Sequence, residues 1–207
     1  KMVKHFQVKE ELFGNGEILG RDVRMSDLSD LDISVLESGM YQFLPIRDAS
    51  GRFVYVVRPE VYYTLKGSVS IENIARARWY NWMCMLKDDD MQKGGMVVIM
   101  NMIEMANGLL PMAKELKLGR DAVPKRTAAV HFCYDNKSKP WMSAHKLYFM
   151  RKGTRARMRA HYVDHYSEVI FNLQTYGIPV NNEYFPADGS VYKKWHLEWM
   201  AMQKRQE

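Results

Sequence analysis

Cysteine is nearly missing from this chain: Cys84 and Cys133 are the two in 207 residues. Two thiols, each inside an apolar segment, make no disulfide framework, so the core must hold by packing alone, and a reducing, cytoplasmic setting is expected. No apolar run approaches the ~18 residues that a membrane-spanning helix needs. The N-terminus shows no hydrophobic region leading to a cleavage site, so no secretory signal is expected. Glu is missing altogether between Arg120 and Arg159, where eleven Lys or Arg face only Asp121 and Asp135. That stretch carries a local charge of +9 in a chain whose net charge is +6, so the remainder is acidic on balance. A surplus this local points to an anionic partner: a phosphate group, a membrane surface or a nucleic acid.

Several chemistries lack their required context. "GNGEILG" has the spacing G-x-G-x-x-x-G and follows no apolar strand, which excludes a dinucleotide loop. "HYVDH" sets His161 and His165 four apart, but Arg157, Arg159 and His161 alternate as on a strand, opposite Met158, Ala160 and Tyr162. Two helical metal ligands are therefore not formed, and no metal is expected. In "HFCYDNKSK", Cys133 has neither the glycines nor the terminal Arg of a phosphatase loop and reads as a small core residue. The aromatics fall on apolar faces instead of an exposed platform, and no nucleic-acid motif is present, so no nucleic acid is expected.

What is present is patterned as α/β. Hydrophobic residues make up 47% of the chain, enough for a sizeable core. Residues 1–37 are polar and read as loop-rich, with an acidic "SDLSDLD". Two strand-like runs, 41–44 and 53–57, flank the turn "RDASGR" and predict a hairpin. Ser70, with Asn73 three residues on, caps a helix whose stripe runs Ile71, Ile74, Ala75, Arg78, Trp79, Trp82, Met83, Leu86 and whose end is read at Gly94. "GMVVIMNM" and "RTAAVHFCY" read as strands buried on both faces. Residues 109–118 read as a helix, "RARMRAHYV" as a strand, Asp164 as the cap of a helix ending near Gly177, and the C-terminal 18 residues as an amphipathic helix. Strands alternating with helices predict a largely parallel sheet flanked by helices.

One predicted helix, residues 141–152, is apolar around almost its whole circumference. Trp141, Met142, Ala144, Leu147, Tyr148, Phe149 and Met150 leave only Ser143, His145 and Lys146 as a polar gap. At ~16 Å it is too short to span a bilayer. Lys137, Lys139, Arg151 and Lys152 bracket it, as befits a helix that touches an anionic membrane surface; an ordinary core helix fits the same pattern.

Taken in order, these landmarks resemble the CRAL-TRIO lipid-binding family, which includes phosphatidylinositol-transfer proteins. "DASGRFVYVV" looks like the family's Asp-x-x-Gly-Arg hairpin, and "GMVVIMNM" like its central strand. "AVPKRTAAVHFCY" looks like its Tyr-Pro-Glu-Arg segment and the following strand. "KPWMSAHKLYFM" is similar to its gate helix, "TRARMRAHY" to the strand beyond, and "VIFNLQTYGIP" to the closing helix. The resemblance covers roughly residues 37–187, between an N-terminal polar segment (1–36) and a C-terminal helix (188–207). It implies an α/β sandwich with an apolar pocket under a gate helix carrying Trp141, Met142, Leu147, Phe149 and Met150. It also implies that the head group is held by Arg126, Thr154 and Arg157, with Lys125 beside them. Lys125 stands where the family has Glu, which removes an acceptor for inositol hydroxyls and adds a cation; Asn101 stands where Asp is common.

The function so implied is binding, and transfer or presentation, of one phosphoinositide or other phospholipid at membrane surfaces. The chain would be a peripheral, monomeric, non-enzymatic protein with no cofactor besides its lipid. A pocketless interaction domain of the same fold, or a carrier of a neutral tocopherol- or retinoid-like hydrophobe, are the alternatives.

Overall fold

The computed structural model describes residues 2–14, 16–65, 67–103, 122–135, 156–181, 183–184 and 193–207. The predicted helices at 109–118 and 141–152, and Thr154, lie outside the described residues. Five strands lie side by side in chain order: β1 (Tyr41–Arg47), β2 (Phe53–Val57), β3 (Met96–Asn101), β4 (Thr127–Asp135) and β5 (Met158–Val163). β1 and β2 form the antiparallel hairpin, and every later pairing is parallel. This is the α/β class expected from the alternation of strands and helices.

The strand sequences explain their places. β2 and most of β3 are buried, because helices cover the sheet on both sides and leave no polar face to β2. Pro45 sits in β1, at the sheet edge and within the register shift between Phe43 and Arg47. There the missing N–H interrupts no continuous ladder. Alternation then sorts the side chains. Phe43, Tyr55, Val98, Phe132 and Tyr134 face the larger core. Leu44, Val54, Val56, Val97, Ile99, Cys133 and Val163 face the smaller one.

The larger core is built with α1 (Met2–Phe13), α2 (Gly16–Leu19), α3 (Asp30–Glu37), α4 (Val61–Leu65), α5 (Ile71–Leu86) and α6 (Asp89–Gly94). The N-terminal 37 residues are thus largely helical, not loop-rich. Val8 and Leu12, one turn apart on α1, bury into this core together with Val23, Met25, Leu28, Val35 and Leu36. The acidic patch proves to be a joint. Ser29 Oγ accepts from Asp32 N (3.2 Å) and Asp32 Oδ2 accepts from Ser29 N (2.9 Å), which closes the first turn of α3. The same buried carboxylate accepts from Asn73 Nδ2 (2.8 Å) and Arg76 Nε (2.9 Å), so it also ties α3 to the head of α5.

α5 begins as its sequence predicts: Ser70 and Asn73 exchange backbone-to-side-chain hydrogen bonds of 2.8 and 3.2 Å. It ends earlier, at Leu86, because Asp88 caps a separate helix by accepting from the amides of Asp90 and Met91. Arg78, within the apolar stripe, is buried with its guanidinium carbon 4.8 Å from the Trp82 ring centroid. That aromatic face offers electrostatic attraction in place of lost hydration.

The smaller core is closed by α7 (Tyr166–Thr175), whose Val169 and Leu173 reach the sheet. Asp164 does not cap this helix; His165 holds the cap position without a side-chain bond, and Asp164 N donates to Glu168 Oε2 at 3.3 Å. The C-terminal helix, α8 (Lys193–Gln206), lies against β1, where Trp195 Nε1 donates to Phe43 O at 2.9 Å. No helix among the described residues is long and apolar enough to cross a membrane.

The turn after α7 locks onto the β1–β2 hairpin. Ala49 N donates to Gly177 O at 2.7 Å, and Gly177 has φ 73°. A Cβ at Gly177 would lie 2.7 Å from Ala49 Cβ, too close to accept without movement. Gly177→Ala is expected to reduce unfolding free energy by about 1–3 kcal/mol from the positive φ alone, with the contact adding to it. Gly51, with φ 76° and nothing within 4 Å of where an added methyl would stand, should lose less on the same substitution. Urea unfolding of both variants, and of Gly177→Ala with Ala49→Gly, checks this: the second change should recover part of the loss.

Candidate functional site

A cavity of about 230 Å³ opens on the α7 side of the sheet, at the leading ends of β3, β4 and β5. Its volume comes from small side chains. Ala128, Ala129 and Ala156 stand where the strands begin, and the turn after α7 contributes Tyr176 and Ile178 as a far wall. The remaining lining is mostly charged or polar: Asp48, Arg52, His131, Arg157 and Arg159. Three guanidinium groups therefore face one carboxylate.

That carboxylate is already engaged. Asp48 Oδ1 accepts from Ser50 N (3.0 Å) and Arg52 N (2.8 Å), and Oδ2 accepts from Arg52 Nε (2.7 Å). Its side chain is only 1% exposed, so the Asp-x-x-Gly-Arg turn is an internally neutralised unit. The other two arginines project from β5 and its approach. Arg157 Nη1 donates to Thr127 O at 2.9 Å and Arg159 Nη1 donates to Met158 O at 2.8 Å. A guanidinium has five N–H donors, so each retains several for an anion at the cavity mouth. Neither is in an ion pair among the described residues.

His131 lines the cavity, and His161 stands behind it as its hydrogen-bond partner. Register places His131 opposite Arg159, and Cys133 opposite His161. His131 Nδ1 and His161 Nε2 lie 2.9 Å apart, with the rings parallel to within 3°. Tyr176 stands nearly perpendicular to both, its centroid 5.0 Å from His131 and 5.5 Å from His161. Both histidines are buried. Burial, then the neighbouring His161 and the charges of Arg159 and Arg52, pull the His131 pKa down to about 4, with Asp48 opposing. Burial and Arg159 lower His161 as well. Neutral imidazoles bonded to each other are the resting state near pH 7. Cys133, in the same layer, is fully buried and its thiol is pushed up to about 12 by burial, so it stays protonated.

The four residues expected to hold a head group are distributed differently. Arg157 lines the cavity. Arg126 is exposed and donates to Lys93 O at 3.1 Å, beyond the lining residues. Lys125 turns to the opposite face of the sheet, its Nζ 2.7 Å from the Trp82 ring centroid. The divergence has a backbone cause: Met96 N donates to Arg126 O at 3.0 Å, which seats the Pro-Lys-Arg segment against Gly95 at the head of β3. Thr154 and the gate residues Trp141, Met142, Leu147, Phe149 and Met150 lie outside the described residues.

Sequence reasoning placed Arg157, Arg159 and His161 on one face of β5 but passed over His131 and Tyr176. The available signal was a histidine among the alternating residues Ala129, His131 and Cys133 of an otherwise apolar strand. A polar group there needs a partner inside the protein. The chain matches no protein-family model, and no curated protein is significantly similar to it.

The depressed histidines set a pH dependence of stability. Below the ordinary imidazole value of 6.5 the unfolded chain binds protons at these sites that the folded chain does not, so stability falls as pH drops. For His131 the loss should be complete by about pH 4, where the folded form also protonates. Urea midpoints measured between pH 7 and pH 4.5 should decline in the parent and decline less steeply in His131→Gln. A parent midpoint that does not move across this range would contradict the neutral pair.

Proposed function

We propose that the chain recognises a phospholipid or phosphoinositide through its phosphate head and works by binding, without covalent chemistry. The observation that supports this most directly is the pairing of Arg157 and Arg159 at the mouth of a cavity whose one carboxylate is already held by Arg52. Planar guanidinium groups are well matched to phosphate oxygens, which they bind in pairs of parallel hydrogen bonds. The order of hairpin, central strands and closing helix also fits the CRAL-TRIO resemblance, in which Arg157 carries a head-group role.

Size narrows the reading. A cavity of about 230 Å³ lies below the roughly 300–1,000 Å³ of pockets that enclose whole drug-sized ligands. It suits a phosphorylated head and excludes a pair of acyl chains, which the close-packed Val97, Ile99, Val163 and Leu173 beneath it would also block. The chains belong elsewhere: in the bilayer, or in the apolar pocket expected beneath residues 141–152. Arg157 and Arg159, at the cavity mouth, favour approach to an anionic leaflet, each cation near the surface contributing about 1 kcal/mol.

Vesicle co-sedimentation tests this reading. Phosphatidylcholine vesicles doped with phosphatidylinositol, its phosphorylated forms or phosphatidic acid should bind the parent. Arg157→Ala and Arg159→Ala should each weaken binding about 10- to 100-fold, as expected for a lost charge-assisted contact of about 1.5–3 kcal/mol. Lys194→Ala, an exposed cation on α8, should change it little, and mainly at low salt. If both arginine variants bind every vesicle as well as the parent does, the cavity is not a head-group site. If lipid extracted from the purified protein is a neutral hydrophobe, the tocopherol-like alternative replaces this one.

A further inference from the structure

We infer that the cavity selects a phosphate monoester over a phosphodiester, and that the monoester dianion is bound together with one proton taken up by the His131–His161 pair. This rests on the phosphate reading above and adds the ligand's charge state.

The geometry carries the argument. His131 lines the cavity, and its Nδ1 is already committed to His161 Nε2 at 2.9 Å, so Nε2 is the nitrogen left for a ligand. In the resting pair a single N–H lies between the two rings. One added proton gives an imidazolium that donates to a neutral imidazole, an arrangement the observed spacing accommodates. A second would set N–H against N–H at the same spacing. The pair therefore takes one proton and refuses another.

The surroundings decide when that proton arrives. His131 is faced by His161 and Arg159 from β5, by Arg52 and Asp48 from the hairpin, and by the Tyr176 ring after α7. With the cavity empty, two arginines and burial outweigh Asp48, which Arg52 already holds, and the imidazoles stay neutral. A phosphodiester brings one negative charge, which Arg157 and Arg159 satisfy. A phosphate monoester has a second pKa of about 6 and brings nearly two. That second charge reverses the balance around His131 and raises its affinity for a proton. The proton comes from solvent when the dianion binds, or from the ligand's own P–OH when the monoanion binds; it ends on the imidazole in either case, and no covalent bond to phosphorus changes.

The test uses the full chain and needs only the parent for its main result. Calorimetric titrations at pH 7.5 in buffers of differing ionisation enthalpy should show uptake of close to one proton per monoester bound. Vesicles containing phosphatidic acid supply the lipid monoester, vesicles containing phosphatidylglycerol the lipid diester, and glycerol phosphate the soluble monoester. Monoester affinity should rise by up to tenfold per pH unit lost between pH 8 and 7, the slope for one linked proton. Diester affinity should stay flat. His131→Gln, shown to be folded by its urea transition, should abolish both the proton uptake and the preference.

Equal affinity for phosphatidic acid and phosphatidylglycerol with no proton uptake overturns the inference, while dependence on Arg157 would still uphold the head-group reading. Binding of glycerol phosphate with proton uptake, but of neither vesicle, upholds the monoester site and removes the lipid. No binding to any probe overturns both.

Discussion

The buried carboxylate of Asp48 is the contact on which the site depends. One oxygen gathers two turn amides and the other holds Arg52, so the β1–β2 turn is rigid before it meets anything else. A rigid turn can then dock: Ala49 meets Gly177 closely enough that a methyl group on the glycine would collide. That contact places Tyr176 against the two histidines and Ile178 against the cavity wall. Removing the carboxylate would leave a guanidinium and two amides without their acceptor, and would loosen a wall made from a segment more than a hundred residues away.

Neutralising Asp48 has an electrostatic consequence as well. With Arg52 engaged by it, the charge available to a ligand is that of Arg157 and Arg159, held by the carbonyls of Thr127 and Met158 at the starts of β4 and β5. The cavity lies at the leading ends of the parallel strands, the opposite end from that at which open α/β sheets generally hold their ligands. Among the described residues the strand order runs without reversal from β1 to β5, so these strands form no switch point of the usual kind. Space appears here instead because alanines occupy the strand starts.

The cations of the basic stretch that fall among the described residues therefore do not form one patch. Register and the tight seat of the Pro-Lys-Arg segment on Gly95 send Lys125 to the Trp82 face, Arg126 to the end of α6, and Arg157 and Arg159 to the cavity. A cation on an aromatic ring and a cation at the mouth of a cavity serve different ends, although they are close in sequence. Asp32 works similarly on the other side of the sheet: an acidic run that reads as solvated loop is the shared cap and tie of α3 and α5.

Local chemistry was enough to determine much of the architecture. Short apolar runs in "FVYVV", "GMVVIMNM" and "RTAAVHFCY" marked strands, Asp48 and Gly51 marked the turn, and Ser70 with Asn73 marked the start of α5, because each signal is complete within a few residues. Where two such signals compete, as Asp88 does with a continuing helix, or where burial must be known, as for Val8 and Leu12, the reading failed. The site belongs to the second kind. Alternation put Arg157, Arg159 and His161 on one face of β5, but nothing near them names the partner face. His131 is 30 residues away from His161 and meets it only because parallel pairing aligns Cys133 with His161. Strand register is set by packing across both cores, and so the histidine pair, its depressed protonation and the cavity above it were decided by the tertiary structure alone.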